Sequence, residues 1–132
     1  MSKYSDKPLC GPFAVSVIAD RKVEDVLDAF RSEFSKTAAW KGRSTLSQCI
    51  QILKNYGCSG KRIRPAGWHD YTFGSLRNWV NNHARPRGTY LVRVGGHILA
   101  VREHRVYDQT QVDEVEQHWA YRKRVSHVFE MA

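Results

Sequence analysis

The chain has 132 residues, 42% of them hydrophobic and 26% charged, which fits one globular domain over residues 1–132 with a real core. Twenty-one Lys and Arg against thirteen Asp and Glu give a formal charge of +8, which reads as a solvated basic surface or as one that attracts phosphate backbones, acidic proteins or acidic peptides, among which charge alone does not choose. No stretch approaches the roughly 18 uninterrupted apolar residues of a membrane-spanning helix, and the opening Met-Ser-Lys-Tyr-Ser-Asp-Lys-Pro holds no apolar segment followed by a cleavage site, so the expectation is a soluble, cytoplasmic protein that does not engage a membrane.

A first helix is predicted over 10–19, with Pro12 in its opening turn and an apolar face of Phe13, Ala14, Val17 and Ile18. A second is predicted over 23–34, where Val23, Val26, Leu27, Phe30 and Phe34 recur at helical spacing. A third, capped by Ser44, carries Leu46, Cys49, Ile50, Leu53 and Tyr56 and stops at Gly57. A short basic strand follows at 61–64, then a fourth helix over 73–83 with Thr72 as its cap. Beyond it the period becomes two. Residues 90–94, 97–101 and 106–108 read as three antiparallel strands, broken at Gly95-Gly96 and at 103–105, and Val125, Val128 and Phe129 can add a further strand. Helices first and a sheet afterwards make the fold class α+β.

Cys10, Cys49 and Cys58 are too few and too odd in number for a disulfide framework, and they suit a reducing compartment. No Cys-x-x-Cys or His-x-x-x-His spacing points to a metal, and no cofactor motif is present. Cys10 stands out by its position. A thiol is a useful nucleophile only as thiolate, and at a helix start the unpaired N–H groups favour the anion. The same N–H groups, at Cys10 and Gly11, can serve an oxyanion, and Gly11 permits close approach of a substrate backbone. The base with the best setting is His97, which opens a strand after two glycines. A hairpin turning at His104-Arg105 brings residues 98–100 beside about 108–110, so that Asp108 can orient His97 and fix its tautomer.

The segment "DKPLCGPFAVSVIA" resembles the nucleophile helix of papain-like cysteine peptidases of the bacteriocin-processing, double-glycine-leader type, and "GTYLVRVGGHILAVREHRVYDQT" is similar to that family's His-bearing and Asp-bearing strands. The helix "FGSLRNWVNNHARPRG" matches the usual lead-in, so the resemblance covers about four fifths of the chain. It implies a papain-like fold, Cys10 as nucleophile, His97 as general base and acid, Asp108 as orienting residue, and amide cleavage of a peptide or protein substrate through a thioester. The family carries a Gln a few residues before the Cys as an oxyanion donor; here residues 4–9 read Tyr-Ser-Asp-Lys-Pro-Leu. Losing such a donor costs about two to three orders of magnitude in turnover, so a binding module that has lost turnover is the alternative, and a thiol acyltransferase or deamidase using the same triad is another. Small size and basic charge are compatible with a bacteriophage or bacterial accessory protein.

Rival features have plainer readings. Cys49 and Cys58 read as structural, His69-Asp70 lacks a nucleophile nearby, His104 reads as a turn residue, and His83, His118 and His127 read as helix-end or surface residues. Trp40, Trp68, Trp79 and Trp119 read as core or rim packing, with base stacking beside the basic clusters at 61–64, 85–87 and 122–124 as the sharper possibility.

Overall fold

A computed structural model describes residues 9–37, 39–64 and 73–132. Trp68, the pair His69-Asp70, the expected cap Thr72 and the stretch 4–8 before the nucleophile lie outside the described residues.

Three helices come first: α1 (Cys10–Ala19), α2 (Val23–Phe34) and α3 (Leu46–Asn55). The bounds of α1 and α2 match those predicted. The buried face of α1 is rotated from the expected one: Ala14, Val15 and Ile18 are buried together with Gly11, Pro12 and Ser16, while Phe13 and Val17 are only partly covered. The reason is that α1 packs on a strand and on two helices at once, so a wide arc is covered rather than a single stripe. Ser44 is not the cap of α3. Thr45 is, with a reciprocal capping box: its hydroxyl accepts from Gln48 N–H at 3.2 Å, and Gln48 Oε1 accepts from Thr45 N–H at 3.1 Å. Ser44 turns inward, its Oγ 3.6 Å from Cys49 Sγ.

The sheet has six strands in the order β1-β6-β2-β3-β4-β5, antiparallel throughout, formed by β1 (Gly60–Ile63), β2 (Thr89–Val94), β3 (His97–Arg102), β4 (Arg105–Tyr107), β5 (Val112–Glu114) and β6 (Val125–Met131). A short helix α4 (Leu76–Asn82) precedes β2, and a 3₁₀ turn spans Val115–Gln117. Ser75 caps α4, accepting from Asn78 N–H at 3.1 Å, so this helix starts three residues later than predicted, after Gly74 at φ 79°. Nothing in the sequence pattern announced β5, because its three residues include Asp113 and Glu114 and its partner is itself short. The final strand was expected as an addition; it lies between β1 and β2.

Both faces of the central strands are covered, which accounts for the near-continuous burial of β2 and β3. On one face Leu91, Ile98 and Ala100 meet Ala14, Val15, Phe30, Ile52 and Leu53 of the three helices. On the other, Val92, Val94, Leu99 and Val101 meet Leu76, Trp79 and Val80 of α4 with Val115 and Ala120 from the loop after β5. Alternation along a strand sends neighbouring side chains to opposite layers. As a result the start of β3 can serve both layers, with Ile98 under the helices and His97 on the side of the C-terminal loop.

Candidate active site

β2 and β3 form a two-residue hairpin in which Val94 pairs with His97 and Gly95 takes φ 58°, the left-handed conformation such a turn needs. His97 is thereby fixed at the first position of β3 with only 3% of its surface exposed. The β3–β4 hairpin turns on Glu103 and His104, both at positive φ, and its ladder ends where Ala100 pairs with Tyr107. Asp108 follows directly, one residue beyond β4 and close to the register expected. His104 is a turn residue as read, tied by its Nε2 to Ala84 O at 2.9 Å.

The carboxylate of Asp108 is 1% exposed and saturated with partners. Its Oδ1 accepts from Thr110 N–H at 2.8 Å, Thr110 Oγ1–H at 2.7 Å and Gln111 N–H at 2.8 Å. Its Oδ2 accepts the Trp119 indole N–H at 2.8 Å and lies 3.2 Å from His97 Nε2. Burial alone would raise the pKa of such an acid, but the His97 bond and the three donors on Oδ1 outweigh it and hold the carboxyl well below its usual range. Asp108 is therefore a fixed negative charge, aimed at one edge of the His97 ring.

With Nε2 committed to Asp108, the nitrogen left for Cys10 is Nδ1, which is buried and has no other partner among the described residues. Nδ1 makes no hydrogen bond of full geometry with Cys10, and catalytic hydrogen bonds often tighten only when substrate binds. The two groups are nonetheless close enough for each to shift the other. Burial opposes the charged form of His97, yet the bonds and charges of Asp108 and Cys10 prevail and raise its pKa from 6.5 to about 9. Burial likewise opposes the Cys10 thiolate; the His97 bond, the Ile98 N–H, the His97 charge and the Gly11 N–H together bring the thiol below its ordinary value. Both shifts favour the same state, a thiolate facing an imidazolium.

The Ile98 N–H is a donor that the sequence reading missed. It is free because β4 ends at Tyr107, opposite Ala100, so the ladder stops before reaching Ile98. Gly11, read as a place for close substrate approach, is buried, and the space a Cβ would take is filled by Ser44 Oγ and Cys49 Sγ. The close approach it permits in this structure is that of α3. Cys49 is fully buried with its thiol pushed up to about 12 by burial, the profile of an inert packing residue.

Two residues read as peripheral belong to the site. His118 is 1% exposed rather than on the surface. Its Nδ1 accepts Ala120 N–H at 3.1 Å, which places its proton on Nε2, 3.3 Å from Gln111 O and 3.7 Å from Asp108 Oδ2. Burial lowers its pKa, so it is held neutral. Trp119 combines its indole bond to Asp108 with an edge contact to the His97 ring, centroids 5.2 Å apart. Neither could be found by spacing, because both arrive from a loop whose path the sequence does not announce. Trp79 and Trp40 pack as read, against Tyr90 and Phe30 respectively.

Among the described residues no group of His, Cys, Asp and Glu is arranged to hold a metal ion, and no helix is long and apolar enough to cross a membrane. Comparison with known proteins returned nothing: no family model, no curated protein and no solved structure matches the chain.

Proposed function

We propose that this chain is a cysteine peptidase or closely related thiol hydrolase on a papain-like fold, working in a reducing, cytoplasmic setting and acting on a peptide or protein substrate. The observation that carries the reading is the convergence of Cys10, His97 and Asp108 from three separate segments, with mutual shifts that favour thiolate and imidazolium. In the reaction the Cys10 thiolate attacks the scissile carbonyl carbon and a C–S bond forms. The Nδ1 proton of His97 passes to the leaving nitrogen as the C–N bond breaks. Water then adds to the thioester, its proton returns to His97, and the acid product leaves Cys10. Asp108 holds the ring in the one orientation that serves both transfers. The backbone N–H groups at the start of α1 are the oxyanion donors available to this mechanism.

The test is the pH dependence of Cys10 alkylation by iodoacetamide, in wild type and in His97→Ala, followed by cleavage of a peptide library. The expected result is a thiol reactive well below the ordinary pKa of about 8.5, reactivity lost in His97→Ala, and library cleavage abolished in Cys10→Ala. An ordinary thiol and no cleavage would overturn the hydrolase reading in favour of a binding module. Transfer of the acyl group to an amine rather than to water, seen in product mass, would make the enzyme a transferase with the same triad.

A further inference from the structure

A cavity of about 510 Å³ opens on the helical face of the sheet, beside the start of α3. Leu46, Ile50 and Phe129 give it an apolar lining, and Arg62, Arg93 and His127 are its basic groups, one residue from each of the adjacent strands β1, β2 and β6. The register places them together: Arg62 pairs with Phe129 and Arg93 with His127. Burial and then the two guanidinium charges lower the pKa of His127, so the positive charge of the cavity comes from the two arginines and the imidazole beside them is driven toward its neutral form. Ser126 Oγ, 3.0 Å from His127 Nδ1, is uncharged, and neither arginine has a carboxylate within ion-pair distance among the described residues. A second basic cavity, lined by Lys61, Arg85, Arg87 and Glu130, differs. There Arg85 lies with Lys61 and Arg87 but is answered by Glu130 at 3.5 Å.

Like charges gathered without a counter-charge are stable only at a cost, which an anion relieves. Two of its lining residues lead, each through a neighbour, to the segments that hold the nucleophile. Thr45 on its wall follows Ser44, which abuts Gly11, and Arg93 is the ladder partner of Ile98, whose N–H faces the Cys10 sulfur. We infer that this cavity is a substrate subsite for the carboxylate side chain of a Glu or Asp near the bond that Cys10 attacks. The apolar lining takes the methylene stem, and Arg62, Arg93 and His127 take the charge. The inference rests on the thiol hydrolase reading for its substrate, though the anion site itself does not.

Two measurements separate the parts. The first uses acetylated tripeptidyl chloromethyl ketones, in pairs differing only by Glu or Gln, with the variable residue placed in turn at each of the three positions. Cys10 displaces chloride to form a C–S bond, and each rate is divided by that for iodoacetamide, which has no side chain to place. At one position Glu should label faster than Gln by roughly two- to fivefold, the range of an exposed ion pair. That preference should vanish in the Arg62→Gln/Arg93→Gln double variant and persist in Arg85→Gln/Arg87→Gln. Both substituted arginines of the cavity are exposed, so the exchange spares the core. The second measurement needs no reactive thiol: NMR titration of His127 with N-acetylglutamate amide should raise its midpoint, and N-acetylglutamine amide should not. Equal Glu and Gln rates at all positions, or a preference that survives the cavity variant, overturns the substrate subsite. An unmoved His127 overturns the anion site. An inert Cys10 with a responsive His127 overturns the hydrolase reading and supports the anion site alone.

Discussion

Asp108→Asn probes the site at the group on which the others depend. Three donors converge on Oδ1, from Thr110 N, Thr110 Oγ1 and Gln111 N, so the asparagine oxygen stays there and its amide nitrogen replaces Oδ2. That amide is a donor facing another donor, the Trp119 indole N–H, and it can meet His97 Nε2 only if Nε2 carries no proton. His97 then becomes neutral with its proton on Nδ1, pointing at Cys10, the tautomer that cannot accept a proton from the thiol. The magnitude follows from the raised pKa of His97, about 9 against an ordinary 6.5. With the carboxylate gone, only Cys10 is left to oppose burial, so the midpoint falls from about 9 toward the ordinary 6.5. A midpoint at 6.5 would take the imidazolium fraction at pH 7.5 from nearly all to about a tenth, so Cys10 alkylation should slow by up to roughly tenfold. Breaking one side of a buried pair should also cost about 3–5 kcal/mol in urea unfolding. The stability gap has a defined pH window. His97, with a raised pKa, contributes fully below 6.5 and loses its contribution as pH rises through about 9. Asp108, with a lowered pKa, contributes above 3.8 and loses its contribution as pH falls through its depressed value. The difference between wild type and variant should therefore be widest between about pH 4 and 6.5. An unchanged alkylation profile with a stability loss under 1 kcal/mol would refute the assignment of Asp108 as the orienting group.

Other outcomes are as specific. Gly11→Ala drives a Cβ into Ser44 Oγ and to 2.9 Å from Cys49 Sγ, so it should destabilise by about 1–3 kcal/mol, and Ser44→Gly in the same chain should restore much of the loss in thermal unfolding. Trp119→Phe keeps a ring edge near His97 but removes the 2.8 Å indole bond to Asp108; urea unfolding should show a loss of about 1.5–3 kcal/mol, and native-like stability would exclude that bond as a support. His118→Ala leaves the Ala120 N–H without its acceptor and empties a fully buried position, for about 2–4 kcal/mol. Because the pKa of His118 is lowered, its contribution is present above 6.5 and is lost as pH falls through its folded value. Acid unfolding of the wild type should begin earlier than in His118→Gln, whose amide cannot titrate.

What could be read in advance were features written in contiguous residues. Helical spacing bounded α1 and α2, and the change of period at Tyr90 marked the sheet. The glycine pair and the His104 turn placed His97 and Asp108 in nearly the right register, because a hairpin fixes register by its turn alone. Features that depend on distant partners were hidden. The Thr45 cap could have been found from Gln48 three residues on, a signal overlooked in favour of Ser44. His118 and Trp119 could not, since a polar residue in a loop has the same local pattern whether it faces water or a buried carboxylate. The central place of β6 was equally out of reach, because alternation shows which face of a strand is covered and not which neighbours flank it.

That central place bears on how the molecule is made. β6 is the last strand along the chain, and its neighbours β1 and β2 are joined to each other only through it. During synthesis the thiol emerges early, but β1 has no strand to pair with until residues 125–131 leave the ribosome. The pairing of Gly60 with Met131 joins residues far apart in the chain, and such contacts form slowly. A nascent chain therefore presents β1 and the outer edge of β2 as open templates for other strands, and aggregation rather than premature reactivity is the hazard of its unfinished state.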